Sequence, residues 1–468
     1  MTVRGWRLPW SALLTLALAT GGTLMSARPV GAESMRSRAP GPLATADELR
    51  SERLAERLVA TPQVQAAAAT VERQWRAKLT AKLGALTPRT NASLAPAIRE
   101  LAFAYAQKAA NGDPARPMVS WIESPPHRWF GTCVPGGRYA GDDPDTVYRI
   151  VPIDGVSTYR VTGRFTYRRP ATTLFQVVTD VNVLTTVSQL DGEDMTVAPD
   201  GSFTLTIDPT AGTGTANHLQ TKPGTVELFV RDTLSDWSAQ APPTLAVRRV
   251  AGPPPAPPQT FAQLVDDTVR GIQTQDWIDF FILGLQYAPP SNVWSAPLIT
   301  GTTARAFANY HLDDGHALVI TADPAKAPYF GVNVQTPWTI TPPYWDRQSS
   351  LTNDQARPNA DGSFTFVLST RDPGVANWLD TTGLRDGTLF ARWQDLRGGT
   401  SPMISARLVT LANLDAVLPA GSAHVTPRER QVQLRQRAAG FARRAGIPHG
   451  CITNGTRPSS THAASDER

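Results

Sequence analysis

The chain contains one sequence unit twice, and this duplication limits the folds that it can adopt. The second copy holds the segment Asp372–Gly383, and a weaker counterpart, Thr215–Gly224, lies in the first copy. The flanking matches are offset by 161 positions and pair Asp200–Thr204 with Asp361–Thr365 and Leu228–Arg231 with Leu389–Arg392. Matches on both sides of the same loop indicate that one structural unit is repeated.

Both copies lie in regions with the pattern of short β-strands. From about residue 116, runs rich in Val, Thr, Phe and Tyr alternate with Gly, Pro and Asp turns, and a second such region follows from about 290 to 412. Many short strands separated by turn residues are typical of β-sandwiches and barrels. The sequence therefore predicts a mainly β protein with added helices: two repeated β-sandwich or jelly-roll-like domains, a helical N-terminal region and a C-terminal helix.

The proline run Gly252–Pro258 separates the two copies, because proline fixes the backbone and removes hydrogen-bond donors. The predicted segments are a signal peptide (1–32), a helical N-terminal region (33–115), a first β-sandwich-like domain (116–251), a Pro-rich linker and helix (252–289), a second β-sandwich-like domain (290–412) and a C-terminal helix with a flexible tail (413–468).

Capping-box patterns predict where the first and last helices begin. Thr45 with Glu48, and Thr426 with Glu429, have the spacing at which each side chain binds the free backbone N–H of the other residue. The last helix is rich in arginine, and the sequence predicts that these side chains form a mostly solvated surface. The arginines are Arg428, Arg430, Arg435, Arg437, Arg443 and Arg444.

The N-terminus predicts export. Arg4 and Arg7 precede an apolar run from Leu8 to Met25, and Val30–Ala32 supplies small residues for cleavage. Residues 1–32 carry three arginines and no acid, so cleavage lowers the formal charge from +5 to +2, which is too little to predict nucleic-acid binding. We expect a secreted, cell-envelope or periplasmic protein with no transmembrane span in the mature chain; an uncleaved anchor is the alternative.

The cysteine count adds one expectation for an exported protein. The chain contains only Cys133 and Cys451, and in an exported protein an even number of cysteines predicts a disulfide. Such a bond would tie the first β-region to the C-terminal tail, and two free thiols are the alternative. Because no histidine lies at ligand spacing from either cysteine, the pair does not predict a zinc site.

Three stretches carry a resemblance to a known family: Asp143–Arg149, Ala317–Asp323 with Ala327–Gln335, and Asp372–Leu379. They resemble the bacterial family called domain of unknown function 1214, which is often joined to domain of unknown function 1254. The resemblance implies jelly-roll-like β-sandwiches similar to carbohydrate-binding modules, with no agreed activity. The first copy departs from the pattern, since His218 replaces Trp378 and a role that needs the tryptophan is not expected there.

The repeated loops supply the first candidate ligand-binding residues. Asn217 and Asn377 could bind ligand hydroxyls, or could hold their own loops by bonding to the backbone. Trp378 with Asp380 could stack on a sugar face, or the tryptophan could pack over its loop. Trp345 lies in an aromatic-basic loop that is either an exposed binding surface or a buried cover for one end of a sandwich.

The repeated arginines Arg231 and Arg392 are the second candidates. They stand at equivalent positions of the two copies and could pair with acids nearby, for example Asp232 or Asp395. A fixed arginine–carboxylate pair would serve the architecture. The alternative is that the two arginines bind a phosphate, a sulfate or a carboxylate.

The acidic cluster Asp142, Asp143 and Asp145 is the third candidate. Its carboxylates could hold Ca²⁺, although the spacing lacks the twelve-residue calcium-loop pattern. Paired glycosidase carboxylates, with Glu123 or Asp154 as a partner, are a further alternative that the sequence does not position. The sequence identifies no cofactor, and it lacks a nucleophile elbow, a phosphate-cradling loop and a dinucleotide fingerprint.

These observations favour a cell-envelope protein of unknown function that binds an envelope glycan or another apolar-polar ligand without catalysis. Loops or a groove between the two domains would form the site. Two alternatives stay open: a hydrolase or lyase that acts on a polysaccharide or lipid, and a duplicated scaffold that binds another protein. The sequence sets no oligomeric state.

Overall fold

The mainly β fold with helices at both ends is confirmed. The computed structural model describes residues 41–179, 185–212, 214–274, 287–398 and 400–445. The predicted signal peptide, part of the predicted linker and helix (275–286) and Cys451 lie outside these ranges. No helix in the described ranges is long and apolar enough to cross a membrane.

The N-terminal region consists of four helices, and the apolar stripes of the three longer ones share one core with a later helix. These are α1 (Ala46–Val59), α2 (Pro62–Leu83), α3 (Pro88–Ala92) and α4 (Leu94–Ala110), together with α5 (Phe261–Gln273). Val64, Val71 and Leu79 of α2 are buried in this core, as their helical spacing requires. A complete capping box between Thr260 and Gln263 begins α5.

The predicted capping box at Thr45 is only half formed. The Thr45 hydroxyl accepts a hydrogen bond from the Glu48 N–H at 3.0 Å, as expected. The Glu48 carboxylate does not return to Thr45; it accepts hydrogen bonds from the Trp121 backbone N–H at 2.7 Å and the Gln107 side chain at 2.8 Å. Glu48 is buried against the first sandwich, so its carboxylate satisfies buried donors there.

The first sandwich packs a five-stranded sheet, in the order β1-β4-β10-β6-β7, on a four-stranded sheet, β11-β5-β8-β9, and β2 and β3 form a separate hairpin. Its strands are β1 (Ser120–Ile122), β2 (His127–Trp129), β3 (Thr132–Val134), β4 (Thr146–Pro152), β5 (Thr158–Arg164), β6 (Thr172–Val178), β7 (Thr186–Asp191), β8 (Ser202–Asp208), β9 (His218–Gln220), β10 (Glu227–Thr233) and β11 (Thr244–Ala251).

The second sandwich repeats this topology, with sheets β12-β13-β19-β15-β16 and β18-β17-β14-β20. Its strands are β12 (Leu298–Thr300), β13 (Thr303–His311), β14 (His316–Asp323), β15 (Tyr329–Gln335), β16 (Ser350–Thr352), β17 (Phe364–Ser369), β18 (Trp378–Asp380), β19 (Asp386–Gln394) and β20 (Met403–Thr410). Even the parallel pairing of β8 with β9 recurs, as β17 with β18. The duplicated sequence is therefore a duplicated fold.

The five-stranded sheets differ from the four-stranded sheets in how they are covered. Side chains alternate between the two faces of a strand, and in β11 and β20 one face is largely exposed. All seven residues of β15 and six of the seven residues of β10 are buried. Both faces of the central strands of the five-stranded sheets are therefore covered by protein, one by the sandwich core and the other by the rest of the molecule. The edge strands β7 and β12 are more exposed.

The C-terminal region contains α6 (Leu414–Val417) and α7 (Pro427–Ala445). Thr426 and Glu429 form the predicted capping box. The prediction of a solvated arginine surface is wrong for Arg430, Arg437 and Arg444, which are buried although Arg428 and Arg435 are exposed. The buried three are seven residues apart, so they share one face of the helix.

This buried arginine face binds both sandwiches. Arg430 pairs with Asp372 at 2.9 Å, and Arg437 donates to the Ser350 carbonyl at 3.0 Å, so both hold the second sandwich. Arg444 donates to the carbonyl of Pro144, next to the first sandwich. Backbone carbonyl oxygens satisfy much of the buried charge of Arg430 and Arg437, which can therefore leave the solvent. The Nε and Nη1 of Arg444 have no hydrogen-bond partner among the described residues.

Candidate ligand-binding cleft between the two sandwiches

The repeated Phe-x-Arg motif places an arginine on the outer face of each five-stranded sheet. On β10 and β19 the residues that alternate with the Phe and the Arg of the motif belong to the sandwich cores. Phe229 with Arg231, and Phe390 with Arg392, therefore point away from those cores. The Arg231 guanidinium carbon lies 5.5 Å from the Phe229 ring centre, and the corresponding distance from Arg392 to Phe390 is 3.5 Å. Both copies therefore present a cation above an aromatic ring.

The strands beside the motif add further side chains to each outer face. Tyr148 of β4 lies opposite Arg231, and its ring stacks on Phe229 with centroids 5.7 Å apart. Arg305 of β13 lies opposite Arg392. The first sandwich thus contributes a phenol beside its arginine, whereas the second contributes another guanidinium.

The two outer faces share one electrostatic environment. Burial lowers the pKa of Arg231, and Arg305 of the other sandwich lowers it further, against the opposing effect of Tyr148. Burial also acts to lower the pKa of Arg392, but Asp143 and Tyr148 of the first sandwich raise it above its usual value. Groups from both copies therefore face one space.

Glu123 follows β1 and brings a carboxyl group to this space. Its φ of 53° lies in the left-handed region, which a glutamate adopts only where its surroundings impose it. Burial raises the pKa of Glu123 to about 8, and Asp142 raises it as well, so the group is mainly protonated at pH 7. The carboxyl group makes no hydrogen bond or ion pair with the described residues, although the side chain is partly accessible to solvent.

We call this space the interdomain cleft and define it by Glu123, Tyr148, Arg231, Arg305 and Arg392. Each of the five side chains keeps some solvent-accessible surface: Arg305 is exposed, and the other four are half-buried. Burial shifts the pKa of all five groups. Partly accessible polar groups inside the protein mass are what a ligand site requires.

Neither repeat arginine pairs with the acid that the sequence suggested. Asp232 pairs with Arg149 at 2.5 Å, and Asp395 pairs with Arg397 at 2.6 Å. Consecutive residues of a strand point to opposite faces, so the Asp232 carboxylate cannot reach the side chain of Arg231. The expectation of these local pairs is wrong for this reason.

The repeat arginines instead keep unused donors at the interdomain cleft. Arg231 donates to the side chain of Gln176, and Arg392 donates to the Gly141 carbonyl at 2.7 Å. The Nε of Arg231 and the Nη1 of Arg392 are buried and have no hydrogen-bond partner among the described residues. An unsatisfied buried guanidinium N–H is costly. Both nitrogens are enclosed, so an anionic ligand would satisfy them once the side chains that cover them move aside.

Two members of the predicted acidic cluster hold the sandwiches together. Asp142 accepts hydrogen bonds from the Thr341 backbone N–H, at 2.8 Å, and from the Thr341 hydroxyl. Asp145 accepts one from the Trp237 indole at 2.8 Å and one from the Tyr329 hydroxyl at 3.0 Å. Burial raises the pKa of Asp145 to about 7 and that of Asp142 to about 6. Both carboxyl groups therefore connect residues that are distant in the sequence.

The third member, Asp143, supports the cleft directly. Its carboxylate accepts a hydrogen bond from the Thr146 hydroxyl at 3.0 Å and lies 3.5 Å from the Arg392 Nε. No group of three or more His, Cys, Asp and Glu side chains could hold a metal ion in the ranges that the structure covers. The described residues support neither the Ca²⁺ alternative nor any cofactor, and the cluster instead supplies hydrogen-bond acceptors.

Asn217 and Asn377 occupy equivalent loops and use their side-chain amides in the same way. The Asn217 amide accepts from the Thr196 N–H at 2.9 Å and donates to the Thr196 carbonyl at 2.7 Å. The Asn377 amide does the same with Arg357, at 2.8 Å and 2.7 Å, and also donates to the Thr365 carbonyl at 3.0 Å. These contacts fit the alternative in which each asparagine holds its own loops.

The remaining candidates are buried. Trp378 packs beneath the Arg430 guanidinium, at 5.2 Å, and Asp380 pairs with Arg347 at 2.6 Å. Trp345 is 2% exposed and lies in an aromatic cluster beside Phe441. These positions fit the packing alternatives, and a role of the three residues in ligand binding stays a prediction.

Sequence reasoning selected two of the five cleft residues as ligand-binding candidates. The sequence suggests Glu123 only as the partner of a glycosidase carboxylate, and Tyr148 only as part of the Asp143–Arg149 motif. Tyr148 and Arg305 lie on outward positions of their strands, but an outward position alone does not tell a ligand site from a solvated surface. The sequence does not show that the two outer faces meet, and this contact is what places the five side chains in one cleft.

Comparison with known proteins supports the fold and finds a family model that matches part of the chain. Residues 308–394 match the family model described as "Protein of unknown function (DUF1214)". The resemblance to DUF1214 is confirmed for the second sandwich. The DUF1214 region begins within β13 and ends with β19, so it contains Asn377 and the second Phe-x-Arg motif. The first motif, with Arg231, lies outside it.

A solved structure shares this architecture. An uncharacterized protein from Burkholderia cenocepacia has 24% sequence identity and a TM-score of 0.63, and the match covers 76% of this chain and 99% of that one. The similarity shows a common fold that extends well beyond the DUF1214 region. A Vibrio parahaemolyticus protein matches with 10% identity and a TM-score of 0.36, over 57% of this chain and 90% of that one. No curated protein matches the sequence.

Proposed function

We propose that the protein binds an anionic amphiphile in the interdomain cleft and does not transform it. The observation that carries this proposal is the pair of buried N–H donors, on Arg231 and Arg392, that lack partners among the described residues. Each copy of the repeat supplies one of them. Arg305 adds a third guanidinium on the side of the second sandwich, so the cleft favours an anion over a cation or a neutral group.

The walls of the cleft specify the rest of the ligand. Phe229 clusters with Ile122 and Ile150 on the outer face of the first sandwich, and Phe390 packs against Phe307 with ring centroids 4.4 Å apart on the second. Aromatic and aliphatic side chains around a few fixed polar groups are typical of sites that bury an apolar body and orient a polar head. A carboxylate, sulfate or phosphate on an acyl or aromatic body has this chemistry.

The proposed compartment rests on the sequence. The apolar run of residues 8–25, with arginines before it and small residues after it, supports export, and the two cysteines support a disulfide in that compartment. An exported protein with such a cleft would meet lipids and acidic glycans of the cell envelope. We therefore propose an envelope amphiphile as the ligand class.

Calorimetric titration with dodecanoate tests the proposal, and dodecanol serves as the uncharged control ligand. The wild-type protein should bind dodecanoate saturably and dodecanol at least about tenfold more weakly. Loss of one charge-assisted contact costs about 1.5–3 kcal/mol, so Arg231→Gln and Arg392→Gln should each weaken dodecanoate binding about ten- to hundredfold. Arg407→Gln, on exposed β20, is the matched control and should leave binding unchanged.

Two results of this titration would refute the proposal. One is equal affinity of the wild-type protein for dodecanoate and dodecanol, because it would remove the role of the anion. The other is undiminished dodecanoate binding in the double variant Arg231→Gln/Arg392→Gln, provided that its circular dichroism spectrum matches that of the wild type.

Glu123 favours a second candidate function, a hydrolase or lyase acting in the same cleft. A carboxyl group that is protonated at pH 7 and has no protein partner can donate a proton to a leaving group beside the three arginines. Release of 4-nitrophenol from 4-nitrophenyl dodecanoate gives a direct assay. Turnover that is lost in Glu123→Gln, while dodecanoate binding persists, would support the enzyme; a wild-type rate equal to that of buffer would exclude it for this ester.

A further inference from the structure

A separate cavity of about 350 Å³ lies in the second sandwich. The loop 357–360 forms one wall, the segment 418–423 after α6 forms the opposite wall, and the backbone around Ala376 lies at the base. This volume falls at the lower end of the range of about 300–1,000 Å³ that is typical of small-molecule sites. None of the residues of the interdomain cleft lines the cavity.

The second wall is held in place by backbone pairing. The Ala376 N–H donates to the Ala423 carbonyl at 2.8 Å, and the Val425 N–H donates to the Gly374 carbonyl at 2.8 Å. Val375 and His424 form an antiparallel bridge between these two bonds. The chain after β20 therefore adds a short strand-like segment beside the repeated loop, and the cavity lies under this addition.

The first sandwich has the same loop without the second wall. Asn217 binds Thr196 through the two hydrogen bonds by which Asn377 binds Arg357. After β11 the first copy continues into the proline run 252–258. A feature that served only to hold the fold would be expected in both copies, whereas this wall and the cation beside it occur in one.

Polar groups that are free to bind a ligand line the cavity. The Arg357 side chain is exposed, and its guanidinium makes no hydrogen bond or ion pair with the residues that the structure covers. The Asn359 side-chain amide donates to the hydroxyls of Ser363 and Thr365, at 2.8 and 2.9 Å, and no described residue donates to its side-chain oxygen, Oδ1. Of these two hydroxyls, that of Thr365 lines the cavity. The cavity thus offers a fork of cationic donors, an amide acceptor and one hydroxyl.

The apolar part of the lining consists of small residues. Val375 and Leu418 contribute aliphatic surface, Ala376, Ala420 and Ala423 add methyl groups, and no residue along the cavity wall is aromatic. Such a surface fits the C–H face of a sugar ring, whereas it offers no ring on which a nucleobase could stack. The guanidinium fork matches the geometry of a carboxylate.

We propose that this cavity, which we call the Arg357 cavity, binds an acidic sugar unit. The Arg357 guanidinium would bind the sugar carboxylate, Asn359 and Thr365 would bind ring hydroxyls, and the aliphatic wall at Val375 would contact the ring carbons. The site is independent of the interdomain cleft and of the anionic amphiphile proposed there. The protein would then carry an acidic-glycan site and an amphiphile site on one chain.

Titration calorimetry with digalacturonate, and with the neutral digalactose of the same linkage, tests the proposal on the full chain. Wild-type protein should bind digalacturonate and should bind digalactose at least about tenfold more weakly. Arg357→Gln should weaken digalacturonate binding about ten- to hundredfold, and Arg357→Lys should restore part of the loss. Thr196→Val, at the equivalent position of the first copy, is the matched control and should not change the affinity.

A second variant tests the cavity itself without removing its charge. Ala420 is exposed at the wall, so Ala420→Phe fills the space and leaves the core of the sandwich intact; it should abolish digalacturonate binding. Dodecanoate binding in the interdomain cleft should be unchanged in every variant of the Arg357 cavity. Equal binding of the two disaccharides, no binding of digalacturonate at millimolar concentration, or undiminished binding in Ala420→Phe would each overturn the proposal.

Discussion

Removal of one carboxylate at the junction of the helices and the sandwiches should destabilise the protein strongly. Arg138 is 5% exposed and Glu100 is 4% exposed, and their two contacts measure 2.5 and 2.7 Å. Arg138 also donates to the Thr341 carbonyl of the second sandwich at 2.6 Å. Burial acts to lower the pKa of Arg138, but Glu100 raises it above its ordinary value, so the charged form depends on the carboxylate.

The substitution Glu100→Gln leaves this guanidinium buried beside a neutral amide. The amide keeps one of the two acceptor oxygens, and the lost contact is charge-assisted, so we expect the free energy of unfolding to fall by about 3–5 kcal/mol. Urea denaturation followed by circular dichroism measures the change, which is calculated from the shift in midpoint and the measured slope. The double variant Glu100→Leu/Arg138→Met removes both charges and should cost less than Glu100→Gln alone.

The same substitution on an exposed pair is the control. Glu72 and Arg76 form an ion pair of 2.7 Å on the surface of α2, with side chains 32% and 41% exposed. Such pairs contribute little, so Glu72→Gln should change the free energy of unfolding by at most about 0.5 kcal/mol. If Glu100→Gln costs no more than Glu72→Gln, the reasoning from the buried ion pair is refuted.

Four further substitutions test other parts of the structure. Burial raises the pKa of Glu227 from 4.5 to about 7. Between these two pH values the folded state keeps a proton that the unfolded state has released, so the free energy of unfolding falls as the pH rises toward 7. Glu227→Gln should flatten this fall and stabilise the protein by about 3 kcal/mol at pH 8, as measured by urea denaturation across the pH range. Cys133→Ser should lower the free energy of unfolding by about 2–5 kcal/mol if the predicted bond to Cys451 forms, and reductant should then lower the melting temperature of the wild type but not of the variant. Asn377→Ala removes three hydrogen bonds. Asn217→Ala removes two, and it also places an alanine at a φ of 54°, which alanine rarely adopts. Each variant should lower the free energy of unfolding by about 2–3 kcal/mol, as measured by thermal and urea denaturation.

The duplicated segments show why the fold could be predicted. Side-chain alternation requires Phe229 and Arg231 to share one face of a strand, and the same holds for Phe390 and Arg392 in the second copy. These are local consequences of strand geometry, and they depend little on the rest of the chain. The helix starts at Thr45 and Thr426 are local for the same reason, since a cap uses donors within three positions.

The candidate sites depend on contacts that local patterns do not encode. Glu48 fits a capping box in sequence, but burial beside Trp121 gives its carboxylate another partner. The arginine face of α7 was expected in solvent, but it meets backbone carbonyls of both sandwiches. The wall of the Arg357 cavity comes from residues that follow the second sandwich and return to its repeated loop.

The sequence by itself determined two copies of a sandwich and the face of each strand that carries an arginine. Export from the cytoplasm stays a prediction. Only the tertiary structure decided that the two arginine faces meet and that Glu123 and Arg305 join them. The physical reason is the range of the interactions. Strand alternation acts between neighbouring residues, whereas the hydrogen bond from Tyr329 to Asp145 spans 184 positions and forms only when the two sandwiches are already packed together.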